Sequence, residues 1–166
     1  MTAVTGPADW RDLEQGAPEL ARLGLARLQA AGVAMLGTVR PDGSPRISPV
    51  EPHLVRGQLL VGAMTWSAKA ADLLRDPRYV LHSAVADPDS GEGELKLHGS
   101  AVQASPGLRA AAAQAWWSGK PREQAAVFSL GIATALFIEW DTERAVMTVH
   151  RWSSRGGYRR TTRGYP

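Results

Sequence analysis

The sequence predicts mainly antiparallel β structure with a few small helices, arranged as a small barrel. Two observations support this fold class. Short apolar segments of strand length alternate with turn residues over most of the chain. The 166 residues suffice for one well-buried core and are too few for two comfortable domains. We therefore expect a single domain over residues 1–166.

The first part of the chain predicts a helix followed by a three-stranded meander. Apolar residues recur at helical spacing between Pro18 and Gly32, which predicts a helix over about 18–31. Turn residues then separate three apolar segments: Pro41 to Ser44 suits a turn with glycine in a left-handed conformation, and Arg56-Gly57 suits a tight hairpin. The predicted strands are 33–40, 46–55 and 58–63.

The second predicted strand, PRISPVEPH, combines polar side chains with two prolines. Strand alternation places Arg46, Ser48 and Val50 on one face. Pro49 and Pro52 cannot donate hydrogen bonds to a neighbouring strand, so this segment should lie at a sheet edge or contain a bulge. An arginine and a serine side by side are a candidate anion site.

The next segment, TWSAKAADLLRDPR, predicts a short helix over 68–75. Ser67 is a good N-cap, and Asp76-Pro77 ends the helix because proline cannot continue it. A hydroxyl at a helix start with Lys69 two positions later also describes a phosphate site, since the helix N-terminus favours anions and lysine adds charge. Both interpretations stay open at this point.

The remainder predicts further strands and one helix. Two strands at 79–85 and 95–102 flank an acidic loop, DPDSGEGE. An alanine-rich helix opens at Ser105-Pro106 and ends near Trp116-Trp117, a pair that we expect to serve packing or dimer contact. Two strands at 133–140 and 145–152 form a closing hairpin around DTER, and a basic tail occupies about 151–166.

The charge distribution makes the positive charge a local feature of the tail. Five of the 19 basic residues fall after position 150, where no acid occurs, so the first 150 residues hold fourteen cations against sixteen anions. No stripe of basic and aromatic residues runs through the body, and we do not expect nucleic-acid binding. The tail is either simply solvated or reaches an anionic ligand across a partner subunit.

Other site types find little support. The absence of cysteine excludes disulfides, a thiolate nucleophile and cysteine metal sites. No signal-peptide pattern and no confident membrane span occur, so we expect a cytoplasmic protein. No catalytic acid–base pair is evident and no metal site is predicted, because the four histidines lack metal-ligand spacing. These histidines are His53, His82, His98 and His150, of which His82 and His98 could line a cavity for haem or substrate.

The order of these features resembles the pyridoxamine 5'-phosphate oxidase-like family of flavin- and deazaflavin-binding split barrels, in particular its actinobacterial members. The likeness rests on a DGSPR turn between two strands, a hairpin, SxK at a helix start, DLLRDPR and a following strand. It covers about 33–102, and more loosely the closing hairpin and the WSSRGGYRR tail. The resemblance implies a homodimer of six-stranded antiparallel split β-barrels with two cofactors at the subunit interface.

The resemblance also implies the cofactor and its binding residues. It implies an FMN-dependent oxidoreductase acting on an unidentified small molecule, with Arg46, Ser48, Ser67 and Lys69 at the cofactor phosphate. The ring would lie against Val50 and the backbone of Met64, Thr65 and Trp66. Arginine binds phosphate as a fork and lysine as a point charge, so the two cations are complementary. The flavin performs the redox chemistry, and no general base is obligatory.

Two alternatives to FMN follow from the same residues. A deazaflavin, coenzyme F420, carries a phosphate on a similar chain, and its acidic tail would need further cations such as those of the basic tail. A non-catalytic protein that binds flavin or haem is the alternative from another functional class. The chain lacks the arginine-leucine-alanine-proline ending expected of true pyridoxamine phosphate oxidases, so oxidation of vitamin B6 is not expected.

Overall fold

The computed structural model describes residues 7–85, 87–116 and 124–164. Within these ranges the chain forms four α-helices and one sheet of nine strands. The helices are α1 (Trp10–Gly16), α2 (Pro18–Ala31), α3 (Ala68–Arg75) and α4 (Pro106–Trp116). The strands are β1 (Ala34–Val39), β2 (Pro45–Val50), β3 (His53–Val55), β4 (Gln58–Met64), β5 (Arg78–Ser83), β6 (Glu94–Gln103), β7 (Ala125–Asp141), β8 (Val146–Ser153) and β9 (Gly157–Gly164).

The sheet is antiparallel throughout its described pairings. Hydrogen bonding runs in the order β2-β1-β5-β6-β7-β4-β3, and β8 and β9 extend from β7. Strand β2 also lies against β4, although the two do not pair among the described residues. The mainly β class is confirmed, but the expected six strands are wrong, because the described chain has nine. The break at Glu51-Pro52 divides the second strand, and β9 adds a strand to the closing hairpin.

The second predicted strand behaves as its prolines require. It is divided into β2 and β3, which lie at the two ends of the main strand order. Alternation is confirmed as well, since Val50 is buried whereas the Ile47 side chain on the other face is 70% exposed. Arg46 and Ser48, half-buried, share the inner face with Val50. The inner face of β2 is turned toward α3, as the hydrogen bond between Arg46 and Asp72 of α3 shows.

The seventh strand is twice as long as predicted. It begins at Ala125, although alternation indicated a start near position 133. Its first eight residues are all buried, so this half lacks the two-residue periodicity that marks a half-exposed strand. The structure therefore reveals a strand where the sequence offered only a mixed apolar run.

Two further elements escaped the sequence prediction. Helix α1 starts with a capping box in which Asp9 and Asp12 each accept from the other's backbone N–H, and it buries Trp10 and Leu13. Residues 157–164, assigned to the basic tail, form β9 along β8. Every residue of β9 is exposed, and the segment has no apolar alternation from which a strand could be read.

The core lies between the sheet and the helices that cover it. Trp10 and Leu13 of α1 and Leu20 of α2 are fully buried in one cluster with residues from most strands. Helix α4 covers a smaller cluster of its own. Trp117 lies outside the described residues, as does the side chain of Trp116. No helix in the described ranges combines the length and apolarity needed to cross a membrane.

Candidate functional site

The start of α3 presents free donors beside the polar face of β2. The Ser67 N–H donates to the Met64 carbonyl (2.9 Å), and the Ser67 Oγ accepts from the Ala70 N–H (3.4 Å), which confirms Ser67 as the N-cap. The N–H groups of Ala68 and Lys69 have no partner in the described part of the chain. These amides and the helix dipole favour an anion at this point.

Lys69 bridges α3 and β2. Its Nζ donates to the Pro49 carbonyl (2.8 Å), at the place where β2 ends. Partial burial of the ammonium lowers the pKa of Lys69, because the charged form loses solvation. Two of the three ammonium protons remain available, so Lys69 can bind an anion while it keeps its contact with β2.

A buried carboxylate on α3 also contacts β1 and β2. Asp72 of α3 is only 2% exposed and accepts hydrogen bonds from Thr38 Oγ1 (2.9 Å) and Arg46 Nε (2.7 Å). Arg75 contributes a longer contact to the same carboxylate (3.4 Å). Burial opposes ionisation of Asp72, but the hydrogen bonds from Arg46 and Thr38 outweigh it, so the pKa of Asp72 lies below its ordinary value. Asp72 thus fixes Arg46 through Nε, and the two terminal nitrogens of Arg46 have no hydrogen-bond partner within the described ranges.

A cavity of about 370 Å³ opens beside the start of α3. Its mouth carries two large exposed side chains, Met64 (49% exposed) and Trp66 (80% exposed). Trp66 therefore lies at the surface of the described chain. Five of the eight predicted site residues line this cavity: Val50, Met64, Trp66, Ser67 and Lys69.

The other three predicted residues lie apart from the cavity wall. Arg46 and Ser48 share the inner face of β2 with Val50, and Arg46 reaches α3 through Asp72. The Thr65 side chain is exposed, and its backbone N–H donates to the Gln124 carbonyl (2.9 Å). The structure thus brings β2 and α3 together through Lys69 and Asp72, and Arg46 is not among the residues that line the cavity.

Sequence reasoning missed Asp72 and Thr38. A signal for Asp72 existed, because residues 69, 72 and 73 share one face of a helix, and an acid beside buried Leu73 needs a cationic partner. Thr38 offered no comparable signal, since its hydroxyl meets Asp72 only through the folding of β1 against α3.

The four histidines lie on four different strands. Within the described ranges no group of three histidine or acidic side chains could hold a metal ion. His82 lies 3.3 Å from the Glu94 carboxylate. His150 is 2% exposed and bonded on both ring nitrogens, to Glu139 Oε2 and the Tyr158 hydroxyl (2.8 Å each). Burial lowers the pKa of His53.

Comparison with known proteins finds similarity in structure only. No protein-family model matches the chain, and no curated protein is similar to it in sequence. Solved structures of low sequence identity do share its fold. One is a pyridoxamine 5'-phosphate oxidase-related, FMN-binding protein from Nostoc punctiforme, with 16% identity and a TM-score of 0.64 over 89% of this chain and 96% of that one.

Two further structures with this fold differ in the ligands that they bind. PhzG from Burkholderia lata, solved with tetrahydrophenazine-1-carboxylic acid, has 16% identity and a TM-score of 0.64 over 95% of this chain and 93% of its own. A haem-binding protein from Mycobacterium smegmatis has 17% identity and a TM-score of 0.54 over 86% and 88%. The chain therefore has the split-barrel fold of pyridoxamine 5'-phosphate oxidase-like proteins.

Proposed function

We propose that this chain is an FMN-dependent oxidoreductase that acts on an unidentified small molecule in the cytoplasm. The observation that supports the proposal most directly is the cavity at the start of α3, which Ser67 and Lys69 line and where the Ala68 and Lys69 amides have no partner in the described part of the chain. The split-barrel fold supports it independently, because similar folds include an FMN-binding protein.

The donor set fits a phosphate monoester. Lys69 has two free protons, Arg46 has its two terminal nitrogens, and the Ser67 hydroxyl can still donate. Arg46 and Arg75 pair with the carboxylate of Asp72, Lys69 adds a third cation, and Glu51 in the cavity wall adds a second negative charge. The net excess of about one positive charge favours an anionic group such as a phosphate.

The open mouth of the cavity suggests how the flavin ring is covered. Met64 and Trp66 are large apolar side chains that a lone subunit leaves in water. Exposed apolar surface of this kind marks interaction sites. We therefore include in the proposal a homodimer in which the second subunit closes the cavity over the ring, with Val50 on the inner wall.

The roles of the protein groups follow from these contacts. Bound FMN would supply the redox chemistry. Lys69, Ser67 and Arg46 bind and orient the phosphate, and Asp72 holds Arg46 in place. Val50 and Trp66 exclude water from the ring.

Titration of the purified protein with FMN tests the proposal. Each charge-assisted hydrogen bond contributes about 1.5 to 3 kcal/mol, so the double variant Arg46→Ala/Lys69→Ala should bind FMN more than tenfold more weakly. The matched control removes two exposed, ion-paired arginines elsewhere, Arg22→Ala/Arg144→Ala. Equal affinity of the folded double variant and the wild type would rule out the phosphate site.

Turnover tests the catalytic part of the proposal. The flavin-loaded protein should accept electrons from NADH, NADPH or a reduced deazaflavin. The decrease in flavin absorbance measures this electron transfer. Tight FMN binding without electron transfer from any of the three would instead indicate a non-catalytic flavin-binding protein. Haem titration completes this test, since a protein of similar fold binds haem.

Coenzyme F420 is a second candidate cofactor, and β9 favours it. The strand is fully exposed and carries Arg159, Arg160 and Arg163, without an acid nearby in sequence. Because side chains alternate along a strand, Arg159 and Arg163 share one face of β9, and the acidic tail of the deazaflavin would bind these two cations. If F420 is the cofactor, replacing these three arginines by glutamine weakens F420 binding and leaves FMN binding unchanged. Equal F420 affinity of the triple variant and the wild type removes the support for F420.

A further inference from the structure

Strand β7 changes partners halfway along one edge. Strand β6 pairs with its other edge over 128–138, apart from the bulge described below. Along the edge of β7 that does not face β6, β4 pairs with residues 125–129 of β7 and β8 pairs with residues 134–141. Residues 130–133 lie between these ladders and pair with neither strand. A cavity of about 850 Å³ opens at this gap.

Local geometry holds the gap in place. The register between β6 and β7 shifts at His98/Gly99 and leaves Ala133 as a bulge. A Cβ on Gly99 would lie 1.8 Å from the Gly131 carbonyl, so only glycine allows the strands to approach this closely. The Ile132 N–H donates to the Ala8 carbonyl (2.7 Å), and the Ser154 N–H donates to the Ala133 carbonyl (3.1 Å). Bulges frequently lie next to binding sites, where they redirect side chains.

Several polar side chains in the wall of this cavity lack partners in the described part of the chain, and two of them, Ser154 and Arg155, are exposed. Three hydroxyl groups and one guanidinium in its wall make no hydrogen bond or ion pair within the described ranges: Ser100, Thr134, Ser154 and Arg155. Asp12 also lines the wall, and only one of its carboxylate oxygens is engaged, by the Asp9 N–H (2.8 Å). Buried Trp152 provides an apolar surface beside them.

We propose that this gap is a second ligand site, which binds a small hydroxylated anion. Arg155 binds the anionic group, and the free hydroxyls donate to its oxygens. Asp12 can only accept, so it selects ligands that carry a hydroxyl or amino group at the opposite end. The volume lies in the range of about 300 to 1,000 Å³ typical of small-molecule sites. None of these residues belongs to the α3 site, so the proposal does not depend on flavin binding.

Three matched probes test the proposal on the full-length protein: glycerol phosphate, malate and glycerol. We expect saturable binding of at least one of the two anions in calorimetry and no saturable binding of glycerol. Amide resonance shifts should centre on Gly131, Ala133 and Gly156. Preference for glycerol phosphate would identify a phosphate ligand, and preference for malate a carboxylate ligand; either supports the site. Binding of neither anion, or equal binding of glycerol, overturns the proposal.

Substitutions locate the binding. Arg155→Gln should raise the dissociation constant about tenfold or more, since it removes a charge-assisted hydrogen bond. Arg40→Gln makes the same charge change at an exposed position outside the cavity and should leave the dissociation constant unchanged. Ala133→Leu fills the gap and should abolish binding. Equal losses in the two arginine variants, or unchanged binding in Ala133→Leu, contradict the proposal.

Discussion

Replacement of the buried Asp72 carboxylate should destabilise the protein strongly. Asp72→Ala leaves the Arg46 guanidinium and the Thr38 hydroxyl without their shared acceptor. Removing one partner of a buried ion pair costs about 3 to 5 kcal/mol. The side chain of Arg46 is 26% exposed, so water replaces part of the lost contact and the lower value, about 3 kcal/mol, applies. A protein of this size loses about 2 to 4 °C in Tm per kcal/mol, hence roughly 6 to 12 °C.

Urea and thermal unfolding with two companion variants measure this effect. Asp72→Asn keeps an acceptor for Thr38 and should lie between wild type and Asp72→Ala. Glu19→Ala removes an exposed acid from the ion pair with Arg22 and should leave Tm nearly unchanged. If Asp72→Ala unfolds at the same temperature as Glu19→Ala, Asp72 does not hold β1, β2 and α3 together as we infer.

The lowered pKa of Asp72 adds a pH dependence to the same comparison. A carboxylate with a lowered folded-state pKa stabilises the fold fully above its unfolded pKa of about 3.9. This contribution is lost as the pH falls below that value and through the lower folded pKa. The stability difference between wild type and Asp72→Asn should therefore shrink under acid conditions. A difference that stays constant down to low pH contradicts an ionised Asp72.

Three further predictions concern binding and the sheet. FMN affinity should rise as the phosphate loses its second proton at a pH of about 6. It should fall again at alkaline pH as Lys69 loses its proton, because burial lowers the pKa of Lys69 below its ordinary value. Titration with FMN at a series of pH values checks this, and a flat profile contradicts it. Gly99→Ala should lower Tm, because the added Cβ would meet the Gly131 carbonyl. The added Cβ of Gly107→Ala in α4 meets open space, so this variant should stabilise the protein by up to about 1 kcal/mol. Equal Tm values of the two variants contradict this contrast. Tyr158→Phe should cost about 1 kcal/mol in urea unfolding, because buried His150 loses a partner, and an unchanged midpoint opposes that role.

Periodicity and turn chemistry predicted most elements that have one buried face. The capped helix at α3 and the edge position of β2 both follow from local rules, because Ser67 and the prolines act on their own backbone. Strand β9 and the buried half of β7 could not be found in this way. Strand β9 is exposed on both faces and the first half of β7 is buried on both, so neither segment alternates between apolar and polar residues.

The candidate site was predictable only where chemistry is local. Ser67 and Lys69 lie two residues apart at a helix start, and the sequence shows both their type and their spacing. The partner of Arg46 lies 26 residues away on another element, so it emerges only when α3 covers β1 and β2. The gap at residues 130–133 depends on three different pairings of β7, which no local pattern encodes.

The central claim is that Arg46 and Lys69 hold the phosphate of a flavin, and comparison of FMN with riboflavin tests it most directly. Both carry the same ring, and riboflavin lacks the phosphate. We expect the wild type to bind FMN more than tenfold more tightly than riboflavin, and the Arg46→Ala/Lys69→Ala variant to bind both with similar, weak affinity. Equal binding of FMN and riboflavin by the wild type, or full FMN preference retained by the folded variant, would contradict the claim.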